Sequence, residues 1–336
     1  VEGIGIGDLH FDKLDSLIPN ASELIVKSVE RVFRYALNNG VKNVLFYGDV
    51  GERPRLSYDA QVNLYKLLLK KKYRDLSLHF ILGNHDFAEN GTHTLQVIQS
   101  IANEIDREVY IYTKPERKTL DGVPFNFLPY PFTETTKKAI NVGHFEVKGS
   151  LRDNGKKIEE GPSSKHNTLM GHLHTCHRVN NTYFSGTLYQ TNFGEHLPKS
   201  FHHFKAHSAS ELHVDNIAFE PPWKLLNLTV SSEKDLEDLD SSSNVLYKLF
   251  LKDGADVDID YVLTKYPNIV KHNVFKSKKE LEEMVQQEWE LDAETVTDVV
   301  NVDYEAVVSN MLKEEGHSTK EVKRAMFILK NLQGLT

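Results

Sequence analysis

Seven candidate metal ligands stand in five short polar stretches: Asp8-x-His10, Gly48-Asp49, Gly83-Asn84-His85-Asp86, Gly143-His144 and Gly171-His172-x-His174. The seven are Asp8, His10, Asp49, Asn84, His144, His172 and His174. All offer nitrogen or oxygen and none offers a thiolate. That disfavours a structural zinc site and suits Mn²⁺, Fe²⁺, Mg²⁺ or Zn²⁺ in a hydrolytic one. They are too many for one tetrahedral ion and about right for two ions sharing a bridging carboxylate. Two-metal sites, with ions roughly 3.5–4 Å apart, are built for attack of water on phosphoryl centres. A lone Asp-x-His or Gly-Asp is commonplace, and His172 with His174 reads equally well as a solvated pair at a strand end. Only the ordered set decides.

The elements that must position these residues are strands. Gly3 to Gly7, Val44 to Tyr47, Leu78 to Leu82, Ile140 to Val142 and Thr168 to Met170 are short apolar runs, each followed at once by one of the five stretches. Ligand sites gather at such strand ends in α/β sheets. Between them, Ile25, Val29, Val32, Phe33, Ala36 and Leu37 mark one helix face, with Asn20 and Glu23 as a capping box and Gly40 at the C-cap. A second helix is expected over Ala60 to Lys72. Leu212 to Pro222 reads as a connector. Trp223–Val230, Val245–Leu251 and Ile269–Phe275 then read as strands, with short helices at Ser232–Leu239 and Asp258–Tyr266. The tail reads as helices over Lys278–Trp289 and Tyr304–Leu312, then one opened by the capping box Ser318-x-x-Glu321 with Val322, Ala325, Met326 and Leu329 on one face. The division expected is 1–210 for the main domain, 211–276 for a small accessory domain and 277–336 for a helical tail.

Composition narrows the function. The 336 residues hold one cysteine, Cys176, so an internal disulfide framework is excluded and a reducing cytoplasm is the expected compartment. No run approaches the roughly 18 apolar residues of a membrane span. The balance of 40 Lys and Arg against 48 Asp and Glu, a formal charge of −8, argues against holding nucleic acid by bulk positive charge. It leaves a nuclease open, because bound cations reverse the charge of a site locally.

The ordered set of motifs resembles the calcineurin-like metallophosphoesterase superfamily and, within it, the SbcD-type DNA-repair nuclease subunits, especially those encoded by bacteriophages. Three further features carry that likeness: Gly143–Gly149 (GHFEVKG), Ser185-Gly186-Thr187 with Asn192-Phe193-Gly194-Glu195, and the accessory run with its helical tail. The resemblance implies an α/β fold, a β-sandwich flanked by helices with a small α+β capping domain. It implies two Mn²⁺, with Mg²⁺ or other divalent ions as substitutes. Asp8, His10 and His174 would hold one ion, Asn84, His144 and His172 the other, and Asp49 would bridge. His85 would stand by the leaving 3′ oxygen as general acid or transition-state stabiliser. Asp86 has two readings, a carboxylate that orients the His85 ring or one that ties the loop. The implied activity is exonuclease, with single-strand endonuclease activity, on DNA. The implied partners are DNA, an SbcC-type SMC-like ATPase docking on the C-terminal helices, and a second copy in a homodimer.

The chain departs from the family after Asp49, where Val50-Gly51-Glu52-Arg53-Pro54-Arg55 leaves the neighbouring substrate contacts open. Lys70–Arg74, Lys114–Lys118 and Lys199–His207 read either as phosphate-contacting patches or as structural surface, and Cys176 with His177 as packing. The runner-up function is a phosphomonoesterase or protein phosphatase. Against it, the third motif ends in Asp86 where that branch has Glu, and no Arg-Gly turn follows Asp49.

Overall fold

The computed structural model describes residues 1–88, 91–98, 101, 108–153, 155–163, 165–237, 239–287, 309, 312–313 and 316–333. Its two large sheets face each other. The first runs in the order β12-β11-β1-β2-β3-β4, from β1 (Glu2–Ile6), β2 (Asn43–Phe46), β3 (Ser77–Ile81), β4 (Val109–Tyr112), β11 (Lys199–Ser208) and β12 (Glu211–Phe219). Strands β1 to β4 are parallel, while β11 and β12 add antiparallel neighbours. The second sheet has the order β5-β6-β7-β8-β10-β9, from β5 (Glu116–Leu120), β6 (Val123–Leu128), β7 (Ile140–Gly143), β8 (Thr168–Met170), β9 (His177–Val179) and β10 (Thr182–Phe184). Helices α1 (Ala21–Asn38) and α2 (Tyr58–Leu68) belong to the core on the outer side of the first sheet.

The near-continuous apolar character of β1 to β3 follows from burial on both faces. Between the sheets, Leu45, Tyr47, Ile81, Tyr112, Phe125, Phe127, Val142 and Phe204 form one cluster. Gly3 and Gly5 of β1 leave room for its rings: a β-carbon would meet Phe204 at 2.2 Å or the Tyr47 hydroxyl at 1.7 Å. On the other side, α1 buries Val29, Val32, Phe33 and Ala36 completely. A fully buried Val or Phe contributes about 1.5–3 kcal/mol.

Helix α1 ends as expected. Gly40 at φ +70° lets its N–H reach Leu37 O (3.1 Å) and the Val41 N–H reach Ala36 O (2.9 Å), a Schellman closure. Its start differs: Asn20 is left-handed (φ 59°) and its side chain makes no cap, so the expected capping box is absent. Helix α2 stops at Leu68, and Lys71–Tyr73 form a separate 3₁₀ turn in place of one helix reaching Lys72.

The expected connector at Leu212–Pro222 is instead largely strand β12, paired along β11. Beyond it, β13 (Lys224–Ser232), β14 (Val245–Asp256) and β15 (Ile269–Phe275) make a parallel three-stranded sheet with its own core, joined by a 3₁₀ turn at Glu233–Leu236 and by α3 (Ile259–Lys265). Trp223 Nε1 donates to Gln190 O (2.8 Å), Gln190 Nε2 to Leu225 O (2.9 Å) and Asn227 Nδ2 to Phe193 O (2.9 Å), which seats this sheet on the loop after β10.

Helix α4 (Lys278–Gln287) follows, and α5 (Thr319–Gln333) is opened by the expected box: Glu321 accepts from Ser318 N at 2.6 Å and from Ser318 Oγ at 2.7 Å. Trp289, most of Tyr304–Leu312 and the Leu329 side chain lie outside the described residues. Val322 and Ala325 are buried in the same main core as the inner faces of α1 and α2, and His317 Nε2 bonds the Leu69 carbonyl at 3.1 Å. Val322, Ala325 and Met326 of the expected apolar face of α5 thus pack within this chain. Among the described residues no helix is long and apolar enough to cross a membrane.

Candidate metal centre

The five stretches meet because their strands end level. Ile6 pairs with Phe46 and Phe46 with Phe80, and Gly143 pairs with Met170 in the facing sheet. The turns that leave those ends are stitched together. Leu9 N and His10 N donate to Asp49 O at 2.9 and 3.0 Å. His85 N donates to Asp49 Oδ1 at 2.9 Å, and His172 N to Asp8 Oδ2 at 2.9 Å. Each carboxylate is thus aimed by the backbone of a neighbouring turn.

Glycine permits the crowding. Gly48 sits at φ +102° with its missing β-carbon 2.3 Å from His144 Nδ1, and a β-carbon on Gly83 would lie 2.1 Å from Asp49 Oδ1. His10 (φ 42°), Asp49 (φ 46°) and His172 (φ 73°) also hold left-handed backbone, a strain of order 1–3 kcal/mol each that the surrounding hydrogen bonds sustain.

All seven expected ligands are brought together. His10 Nε2 lies 3.1 Å from His174 Nε2, and His174 Nε2 lies 3.5 Å from Asp8 Oδ2. In the second group, His144 Nε2 lies 3.0 Å from Asp49 Oδ2, 3.1 Å from Asn84 Oδ1 and 3.3 Å from His172 Nδ1. Asp49 stands between the groups, its Oδ2 3.9 Å from His10 Nε2. Asp8, His10 and His174 form one three-residue cluster with the spacing of metal ligands, and Asp49, His144 and His172 form another.

The donor set fits cations. Imidazole nitrogens paired at 3.1 and 3.3 Å share at most a proton between two lone pairs, whereas a divalent ion accepts both. Two of the opposite ring nitrogens are already engaged, His144 Nδ1 with the Tyr47 carbonyl at 2.7 Å and His174 Nδ1 with the Glu195 carboxylate at 2.9 Å, while His10 Nδ1 lies 2.7 Å from Glu52 Oε2. Such partners fix which nitrogen faces a metal.

The electrostatics are those of a centre short of positive charge. Burial opposes ionisation of Asp49, but His144 and His10 beside it hold its carboxyl well below the usual range. Burial likewise opposes a charge on His144, yet Asp49 and Asp8 raise it to about 9. His172 is pushed down to about 4 by burial and by the charge of His144.

His85 joins the site edge-to-face with His10, ring centroids 5.0 Å apart. Its Nδ1 lies 3.0 Å from the Glu52 carbonyl oxygen, which orients the ring. Asp86 does the other job expected of it: its fully buried carboxylate accepts from Gly83 N (2.9 Å), Gly51 N (3.1 Å) and Val50 N (3.3 Å). It ties two turns and makes no bond to His85 among those described.

These features select one family. The chain matches the model of the calcineurin-like phosphoesterases over residues 4–297. It belongs to that family. No curated protein matches it. Among solved structures, one described as GAP50, the anchor in the inner membrane complex of Plasmodium, aligns with 66% of this chain and 89% of that one, at 11% identity and a TM-score of 0.36. Membership of the calcineurin-like phosphoesterases implies a metal-dependent phosphoester hydrolase, and the clustered His and Asp side chains could hold its divalent metals.

Sequence reasoning gave Glu52, Asp153, Glu195 and Lys199 no part in holding the ligands, although they stand around His10 and His174. Glu195 lay in a stretch singled out by resemblance; Glu52 lay in the departing loop. At three positions of the basic patches the structural reading is the one observed. Lys199 and His202 are buried in β11 and Lys70 pairs with Glu30, so none is a free phosphate contact. Lys118 lies over the Tyr110 ring, and Arg55 is exposed. Cys176 is half-buried, and His177 stacks on Phe184 with centroids 4.5 Å apart, a packing role as expected.

Proposed function

We propose that this calcineurin-like phosphoesterase is a Mn²⁺-dependent DNA phosphodiesterase, an exonuclease with single-strand endonuclease activity. On this reading it is the nuclease subunit of an SbcC-type, SMC-like ATPase complex in DNA end processing. Asp8, His10 and His174 would hold one ion, Asn84, His144 and His172 the other, with Asp49 between them. When bound, the two ions activate water and neutralise the phosphodiester charge.

The observation that carries the reading is His85. With Nδ1 taken by the Glu52 carbonyl, its Nε2 is directed away from that bond, beside the His10 cluster. There, with the ring protonated at both nitrogens so that Nδ1–H stays with the Glu52 carbonyl, Nε2–H would donate its proton to a departing alkoxide or a hydrogen bond to the developing charge. The three-stranded sheet, seated on the loop that carries Gln190 and Phe193, supports a polymeric substrate held beside the centre. On the same reading that sheet is the capping domain, residues 277–336 are the tail that meets the ATPase, and the subunit forms a homodimer. Because Val322 and Ala325 are buried in the main core, an ATPase that takes that face must first lift α5 from it.

The test compares Mn²⁺-dependent hydrolysis of a short duplex and of a phosphopeptide. Duplex cleavage is expected, with His85→Gln lowering turnover about 10²–10⁴-fold while bound Mn²⁺ stays constant. Phosphopeptide turnover without DNA cleavage would overturn the reading in favour of a phosphatase.

A further inference from the structure

Behind His174, at its Nδ1, lies a polar cluster that the hydrolytic scheme does not use. Glu195 is fully buried, and it accepts from His174 Nδ1 (2.9 Å), Thr191 N (3.1 Å), Thr191 Oγ1 and Asn192 Nδ2 (3.2 Å). Lys199, 2% exposed, pairs with Glu195 and donates to Thr187 Oγ1 at 2.9 Å and to the His174 carbonyl at 3.4 Å. We propose that Glu195 is a positioning residue for His174 and that Lys199 is the internal counter-ion that keeps it there. The proposal rests on the two-metal reading above.

The chemistry of imidazole sets the requirement. To offer Nε2 to a cation, His174 must carry its proton on Nδ1 and must find an acceptor there. Two carboxylates face that nitrogen, Glu195 at 2.9 Å and Asp153 Oδ2 at 3.1 Å, but Nδ1 has one proton to give. Asp153 is otherwise engaged, since its Oδ1 takes the His174 N–H at 3.0 Å and lies 3.4 Å from Thr175 Oγ1. It sits on a partly exposed loop and shapes the turn. Glu195 has no water to share its charge and is held from four sides.

A buried carboxylate is costly without a counter-charge, and a buried ion pair is commonly no more stable than apolar residues of the same volume. Fold stability therefore does not account for Glu195 and Lys199. Their placement does. Lys199 opens β11, the antiparallel partner of β1, and β1 leads straight into Asp8. Through Lys199 the ring and the backbone of His174 are both fixed to the sheet that delivers the other ligands of the same cluster.

The experiment titrates the metal-free full-length chain with Mn²⁺, reading free Mn²⁺ by electron paramagnetic resonance, alongside the Tm of the metal-free protein. The wild type is expected to take two ions. A wild type that takes fewer defeats the two-metal reading, an outcome distinct from any difference between variant and wild type. Glu195→Gln, nearly isosteric, should weaken one ion about 10–100-fold and leave the other unchanged. Lys199→Met should weaken the same ion and lower the Tm. In the double variant, with no orphaned charge, the Tm should recover while the Mn²⁺ affinity stays low. Recovery of both would show a purely structural pair and overturn the proposal, as would wild-type affinity in Glu195→Gln. A larger loss in Asp153→Asn than in Glu195→Gln would overturn it too, by moving the role to Asp153.

Discussion

Asp49 and Asp86 are both buried carboxylates in motif turns, and their surroundings set them to different work. Asp49 is ringed by imidazoles and stays ionised; Asp86 is raised to about 6 by burial and by the charge of Asp49, with three backbone N–H groups opposing that rise. Asp86→Asn replaces an all-acceptor group with one whose amide confronts those N–H donors. The expected result is a loss of about 1.5–3 kcal/mol in urea unfolding, on the scale of a hydrogen bond to a charged group. A variant as stable as wild type would show that the carboxylate does not hold the turns. Residue by residue, the ligands were legible because each follows an apolar strand in a stretch of small and polar residues that packing does not need. Glu195 and Lys199 were not legible as a pair, since their partner His174 is brought to them only by the meeting of β11 with the loops after β8 and β10. Lys199 read as surface, with phosphate contact as one of two readings, because a charged residue at a strand start is usually solvated.

At the scale of elements, the strands that lead into the site were readable, and those that frame it were not. Strand β5 (ERKTL) is exposed along most of its length, and β12 is an exposed edge, so neither shows an apolar run. Strand β11 buries Lys199 and His202 and so reads as polar surface. The Asn20 capping box failed for a local reason: a left-handed residue directs its side chain away from the first-turn N–H groups. The turn after β3 offers a direct check of how strand ends set the site. In Gly83→Ala the new methyl must displace the Asp49 carboxylate, 2.1 Å away, or push the turn outward. Because Asp49 stands between both clusters, Mn²⁺ affinity should fall at both positions, while far-ultraviolet circular dichroism stays that of the wild type. Unchanged affinity would mean that the turn moves freely and that strand ends do not set the ligand spacing.

The two large sheets close on an apolar interior, and two histidines outside the ligand set, His79 and His202, are buried there. His79 is 1% exposed, stacked with Tyr110, Tyr112 and Phe127, and bonded through Nδ1 to the Tyr112 hydroxyl at 2.9 Å. His202 is fully buried beside Tyr47. Burial pushes both down to about 3, aided at His79 by the charge of Lys118. Both are therefore neutral in the fold, whereas in the unfolded chain they take a proton near pH 6.5. Their contribution is complete above pH 6.5 and is lost as pH falls, because the unfolded state then binds more protons than the native one. The loss runs from pH 6.5 toward 3 at about 1.4 kcal/mol per pH unit for each histidine. His79→Phe keeps the aromatic stack and removes one titrating group. It should be less stable at pH 7, where the bonds to Ser77 and Tyr112 are missing, yet lose stability with acid more slowly, by about 1.4 kcal/mol per pH unit between pH 6 and 4. Urea unfolding of the metal-free protein at half-unit pH steps measures both slopes, with the ligand histidines common to the two proteins and cancelling in the difference. Parallel slopes would place the acid sensitivity of this fold in the ligand cluster instead of between the sheets.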